Sequence, residues 1–335
     1  MLPDRVMLQL SEQAVADTIQ RFEETGSPII TDGEQSKPSF ATYPVHRASN
    51  MAPGGVIIGF DDGHTRELPR LTGGPFRYTT YAVSYLAAAR KFTNRPLKQA
   101  VISASALSLL YPSEEIPGYS REQFVDDLVE EAIKDIRGCL DAGAAAVQID
   151  FTEGRLALKL DPSGSLLNQF VELNNRVLDR FSNQDRLLLG VHSCPGGDRD
   201  ATHSSGVAYA GLLPALFRLN VKNFYLEMAG EADRGRVLQQ IRDLISPQQR
   251  VFVGVIDPIN PRVESVAEVR DRVLEAARYI PLEQLGTTDD CGFSPFLDDA
   301  STARDLAFAK IAARVQGTVL ASETLHSTRA AIQAN

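Results

Sequence analysis

A histidine and a cysteine two residues apart, His192 and Cys194, close an apolar run that reads as a β-strand. Side chains alternate between the faces of an extended chain, so both project to one side and can reach one ion. Other runs end in residues of similar kind. Glu227 closes the run 222–227, Asp257 follows 250–256, and 284–287 leads into Asp289, Asp290 and Cys291. Earlier runs end in Asp32 and Glu34, and in Asp150. His192, Cys194, Glu227 and Cys291 together offer one imidazole, two thiolates and one carboxylate, a donor set suited to tetrahedral zinc. The three anionic donors outweigh the charge of the ion, so such a centre polarises water weakly. It suits instead a substrate thiol held deprotonated near neutral pH, and so alkylation of that thiol over hydrolysis. The alternative for any cysteine is a plain buried hydrophobe, and Cys139, on the apolar face of a helix, is read that way.

These residues need elements that bring them to one place. Strand-like runs at 28–31, 98–103, 145–150, 187–192, 222–227, 250–256 and 284–287 alternate with helical patterns. The helices fall near 9–25, 78–92, 121–141, 165–182, 205–218, 231–244, 265–279 and 299–315. Alternation of this kind predicts βαβ units and a parallel sheet. In a closed barrel of such units the carboxyl ends of the strands share one rim, where active sites lie. The expected fold is a TIM-type (β/α)8 barrel that lacks its first N-terminal strand. It forms a single domain over 1–335, with an irregular and hairpin excursion at 38–75 and a peripheral polar tail at 318–335. Another segment or a second copy of the chain, as a homodimer, is expected to cover the gap, since open parallel edges seek partners.

Composition narrows the partners. A formal net charge of −9 argues against nucleic acid and anionic membranes. Three widely spaced cysteines are no disulfide framework, no apolar run reaches a membrane span, and no secretory leader is visible, so a cytoplasmic enzyme is expected. No phosphate-binding or dinucleotide fingerprint stands in a suitable context. The tip Asp61, Asp62 and His64 reads as a solvated turn rather than a second metal site. His203, with Asp198 and Asp200, reads equally as support for the metal loop or as an ordinary loop. Ser103, Ser105, Arg77, Tyr78 and Tyr81 are candidates to touch substrate, with capping and packing as the alternative.

In family order, the segments Thr31-Asp32-Gly33-Glu34-Gln35, Val147-Gln148-Ile149-Asp150, His192-Ser193-Cys194, Glu227, Gly254-Val255-Ile256-Asp257 and Asp290-Cys291-Gly292 resemble the cobalamin-independent methionine synthase family. The resemblance covers roughly 9–315 and relates the chain to uroporphyrinogen decarboxylase-like barrels in a short form. It implies one zinc ion on His192, Cys194, Glu227 and Cys291, with the zinc-bound thiolate of homocysteine or another small thiol attacking an electrophilic carbon. It also implies that Glu34 and Asp150, with Asp32, Ser103 and Tyr78 nearby, hold the thiol substrate. Asp257 lies on the same rim with no role assigned. The chain departs from the pattern at three points. The family's opening Gly-Ser-Phe-Pro type strand has no counterpart. Pro258 follows Asp257 where full-length members carry a histidine. The chain has no Trp to stack on folate, which argues against folate as the methyl donor. The resemblance extends to zinc enzymes that add thiols to epoxides. A lyase or hydrolase using zinc as Lewis acid, with Asp257 or His203 as base, and a purely structural zinc are the competing readings.

Overall fold

Six expected strands pair side by side in chain order: β1 (Lys98–Ile102), β2 (Ala146–Asp150), β3 (Leu189–Ser193), β4 (Asn223–Leu226), β5 (Arg250–Ile256) and β6 (Leu285–Asp289). Each neighbouring pair is parallel. The computed structural model describes the backbone of residues 4–296 and 298–333 and the side chains of 6–296 and 298–327. The strand expected at 28–31 contracts to a bridge between Ile30 and Leu97. Its amide donates to the Pro96 carbonyl at 3.0 Å, and its carbonyl accepts from Lys98 at 2.9 Å. Among the described residues no strand joins Ile30 to β6.

Helices fill the connections: α1 (Asp4–Glu24), α2 (Val83–Arg90), α3 (Arg121–Asp141), α4 (Glu153–Leu160), α5 (Ser165–Leu178), α6 (Tyr209–Leu216), α7 (Arg234–Leu244), α8 (Val266–Ala276) and α9 (Arg304–Gln333). Ser120 with Gln123, and Ser265 with Glu268, form reciprocal caps that start α3 and α8. Two results differ from expectation. The stretch after Asp150, left without structure, forms α4. The last helix, expected to stop at 315, continues to Gln333, so the described part of the expected tail is helical. Small residues allow this close packing. Gly317 meets Val269 where a Cβ would lie 2.4 Å from its side chain, and Ala321 is fully buried. The Thr318 hydroxyl also hydrogen-bonds that of Thr287 at 2.9 Å, tying the helix to β6.

The two faces of the sheet differ. Gln99, Val101, Val147, Ile149, Val191, Leu226, Val251 and Val253 face the helices and are buried. Lys98, Ala100, Gln148, Phe252 and Thr288 face inward and are only half-buried. The inner floor is a stacked pair, Tyr225 and Phe252, with ring centroids 4.7 Å apart. Gly190 and Gly286 make room for it, since a Cβ would lie 2.6 Å from the Tyr225 ring and 2.4 Å from the Phe252 ring. Among the described residues no helix is long and apolar enough to cross a membrane.

Candidate metal centre and substrate rim

β3 places His192 on the inner face, and Cys194 follows one step beyond the strand end. β6 ends two residues before Cys291. One ligand atom from each of His192, Cys194 and Cys291 lies within 4.8 Å of the others. The Cys194 and Cys291 sulfurs are 2.9 Å apart, and both cysteines are free. His192 Nδ1 lies 3.2 Å from the Tyr225 carbonyl. A hydrogen bond there makes Nδ1 the protonated nitrogen and leaves Nε2 free as an acceptor. A hydrogen bond from Cys194, working against burial and aided by His192, holds the Cys291 thiol well below the usual range. A half-buried thiolate, a buried second thiol and an oriented imidazole fit zinc by donor chemistry.

Glu227, the expected fourth donor, lies outside this group. Its Oε2 accepts from Nη1 of Arg155, a side chain on α4 that is only 3% exposed. A buried arginine makes a strong electrostatic competitor for that carboxylate. The following loop is fixed by Asp290. Its Oδ1 accepts from the amides of Met228 and Ala229, both at 2.9 Å, and its Oδ2 from Gly230 at 2.8 Å. Gly254 leaves the space this needs, because a Cβ there would lie 1.7 Å from Asp290 Oδ1.

The acidic side of the rim is built by local turns. The Thr31 hydroxyl accepts from Gly33 N–H, and Asp32 Oδ1 accepts from Glu34 N–H, both at 2.9 Å. Gly33 has φ 63° and Glu34 φ 55°. The left-handed region suits glycine but strains glutamate, so the turn holds Glu34 in an unfavourable conformation. Glu34 Oε1 is 2.6 Å from Lys37 Nζ, which also donates to the Ala100 carbonyl at 2.8 Å. The second oxygen of buried Asp32 has no partner. Asp150 is oriented by a relay across the inner face. Lys98 donates to Gln148 at 2.6 Å, and Gln148 donates to Asp150 at 2.8 Å. Burial, with Glu34 nearby, pushes Asp150 up to about 6, against the pull of His192. The carboxylates thus share one electrostatic neighbourhood with the imidazole.

Other expected site residues are occupied elsewhere. Ser103 caps a short helix at 104–108 and donates to Glu153 at 2.6 Å. Tyr78 packs against Phe76 and Tyr81, and its amide donates to Glu131 of α3. Asp257 shapes its own loop: Oδ1 accepts from Ile259 at 3.0 Å, and its carbonyl accepts from buried Lys310 at 3.0 Å. None of the described hydrogen bonds of these three reaches His192, Cys194 or Cys291. Sequence reasoning missed Arg155, Lys37 and the Lys98–Gln148 relay. For Arg155 and Lys98 the one signal was a basic residue inside or beside an otherwise apolar run, and Lys37, in a polar stretch, gave none.

The tip at 61–64 is an exposed turn at Asp61, Asp62 and Gly63, as expected, but it is also tied down. Asp61 accepts from Thr202 at 2.8 Å and Ser205 at 3.0 Å, and its amide donates to the Thr202 carbonyl. His64 lies 3.0 Å from fully buried Asp198, which also binds Arg66 at 2.5 Å. Phe60 stacks on His64 and meets the edge of His203. The two-stranded ribbon of 57–59 and 65–67 therefore sits on the loop that follows Cys194. His203 is buried, and burial pushes it down to about 4, so it is neutral. Its ring occupies the place of a Cβ at Gly196, where φ is 71°.

Parallel strands that deliver imidazole, thiol and carboxylate groups to one carboxyl-end rim define an enzyme of the TIM-barrel type. The family model "Cobalamin-independent synthase, Catalytic domain" matches residues 9–314. The chain belongs to that family, the cobalamin-independent methionine synthases. The 5-methyltetrahydropteroyltriglutamate–homocysteine methyltransferase of Ralstonia pickettii is 22% identical, over 98% of this chain but 39% of that enzyme. The 2-hydroxypropyl-CoM lyase of Xanthobacter autotrophicus is 23% identical, over 98% of this chain and 90% of that enzyme. A B12-independent methionine synthase from Shewanella sp. W3-18-1, solved with selenomethionine, shares the fold with a TM-score of 0.79 at 19% identity. That match covers 97% of this chain and 92% of the other.

Proposed function

We propose that the protein is a zinc-dependent thiol alkyltransferase, a methyltransferase in its simplest form, acting on homocysteine or another small thiol. The observation that carries this reading is the convergence of His192, Cys194 and Cys291 within 4.8 Å. These residues would hold the zinc, and the ion would supply a Lewis acid that keeps a substrate thiol deprotonated near neutral pH. The chain's own groups do the rest. Asp150, fixed by Gln148 and Lys98, presents a carboxylate to the ammonium of a thiol amino acid. Glu34 binds an ammonium in the resting protein, that of Lys37, so a substrate amine would share or replace that contact. The stacked floor of Tyr225 and Phe252 lies beside this relay, with Lys98 Nζ 4.4 Å from the centre of the Tyr225 ring.

Metal analysis with zinc K-edge absorption spectroscopy tests the reading. One zinc per chain with two sulfur ligands, rising to three on addition of homocysteine or another small thiol, is the expected result. A sulfur count that no thiol changes would overturn it. The second reading is a lyase or epoxide–thiol transferase using zinc as Lewis acid. It is favoured by the Xanthobacter lyase, which matches over 90% of its length. Turnover of an epoxide with a thiol, without methyl transfer to homocysteine, would select it.

A further inference from the structure

We propose that the ion pair of Arg66 with Asp198 is a positioning clasp that fixes the spacing of the two sulfur donors, Cys194 and Cys291. The inference rests on the zinc reading above. Both cysteines lie beyond their strands. The last paired residue of β3 is Ser193 and that of β6 is Asp289, and β4 and β5 stand between the two strands. Ladder pairing thus ends before either sulfur-bearing residue, and their spacing depends on the loops that carry them.

Arg66 joins those loops. Its Nε and Nη2 donate to the two oxygens of Asp198 at 2.5 and 3.0 Å, a bidentate grip on a fully buried carboxylate. Asp198 lies four residues after Cys194. Nη1 of the same arginine is 2.8 Å from Oδ1 of Asp298, and its guanidinium carbon sits 4.2 Å from the centre of the Phe296 ring. Phe296 and Asp298 follow Cys291 by five and seven residues. His64 adds a contact to Asp198 at 3.0 Å. Arg199 ties the same two loops nearer the surface, through its side chain to Asp298 and its amide to Asp299 at 3.4 Å.

The backbone shows that the first loop needs holding. Residues 197–198 pair with 201–202, and the turn between them, Arg199 and Asp200, has φ 49° and 61°. Two successive left-handed residues suit Asn-Gly, so Arg-Asp is strained there. Anchoring Asp198 keeps the turn in place, because a buried carboxylate without its guanidinium is driven toward water and takes the turn with it. A lysine cannot replace Arg66, since one ammonium cannot grip both oxygens of Asp198, cover Phe296 and reach Asp298 together.

Zinc affinity by chelator competition, and Tm of the zinc-free protein, separate positioning from stability in the full chain. Arg66→Met leaves Asp198 unpaired and should lower both. Combining it with Asp198→Asn removes the buried charge, so Tm should recover most of the loss while zinc stays about tenfold weaker, the scale set by groups that orient ligands. Arg66→Lys should also bind zinc about tenfold more weakly. Zinc affinity that recovers together with Tm in the double variant, or that stays at the wild-type value in Arg66→Lys, would overturn the proposal. Asp298→Ala changes an exposed residue and reads the same clasp even if the buried variants do not fold. It should weaken zinc about threefold, the scale of one exposed ion pair, and an unchanged affinity would again overturn the proposal. A wild-type protein that binds no zinc through two sulfurs would overturn the zinc reading itself, and this proposal with it.

Discussion

Glu153 shows how a single buried carboxyl can hold a residue-scale prediction. Its Oε1 accepts from Ser103 at 2.6 Å and from Ser105, whose hydroxyl also receives Asn174 Nδ2–H at 2.7 Å. Its Oε2 is buried without a partner. Burial, opposed by the two serines, pushes the group up to about 7. The folded protein therefore binds a proton there that the unfolded chain releases near the ordinary glutamate range. That contribution to stability is complete below the ordinary value and is lost as pH rises through about 7. Glu153→Gln keeps the shape and removes the titration. The variant should gain a few degrees in Tm relative to wild type between pH 5 and pH 8, read by thermal denaturation at both; a constant difference across that range would contradict the buried-proton account. At this scale the sequence was informative where chemistry is rare. His192, Cys194 and Cys291 stand out by type and spacing, and the fold brings them together. Pairings such as Arg155 with Glu227, or Ser103 with Glu153, were illegible because arginine, serine and glutamate occur everywhere and their partners lie about 50 residues or more away.

The loop after β4 and the loop after β6 behave as one element because Asp290 accepts all three amides of 228–230. Asp290→Ala would strand the buried N–H of Met228 and remove the acceptor of two less buried ones, at a cost of about 2–4 kcal/mol. Gly254→Ala should act on the same lock from beneath, since its new methyl would occupy the place of Asp290 Oδ1. Both variants should lose stability in urea denaturation and also bind zinc more weakly, because Cys291 adjoins the lock. An unchanged zinc affinity would mean that Cys291 is positioned without it. Strand positions were legible from short apolar runs flanked by helical periodicity, within a residue or two of β1 to β6. Three features were not. α4 spans only two turns and gives too short a pattern. The end of α9 is held by tertiary packing of small residues against β6 and α8, not by amphipathic periodicity. The attachment of the exposed ribbon tip was hidden because its partners, Asp198, Thr202 and Ser205, lie far along the chain.

For the whole molecule, a parallel sheet was visible in the order of strand and helix patterns, since topology follows from alternation, but of the seven runs read as strands the first is only a bridge. What alternation does not encode is how deeply the inner face is screened, and Lys98, Gln148 and Thr288 remain half-buried. The donors of the candidate centre come from loops almost one hundred residues apart, so an ion bound to them would join the middle of the chain to its last third. Chelation should therefore lower Tm by calorimetry, with a free-energy change of about 4 kcal/mol when zinc stands a thousandfold above its Kd; no shift would count against zinc bound only by the folded state. The ribbon at 57–67 adds a mechanical condition. It is fastened by Asp61, His64 and Arg66 to residues 198–205, and that loop begins a few positions after Cys194. Any swing of the ribbon tugs the tether of a sulfur donor. Movement of the ribbon and placement of Cys194 are then coupled, and neither can change without the other.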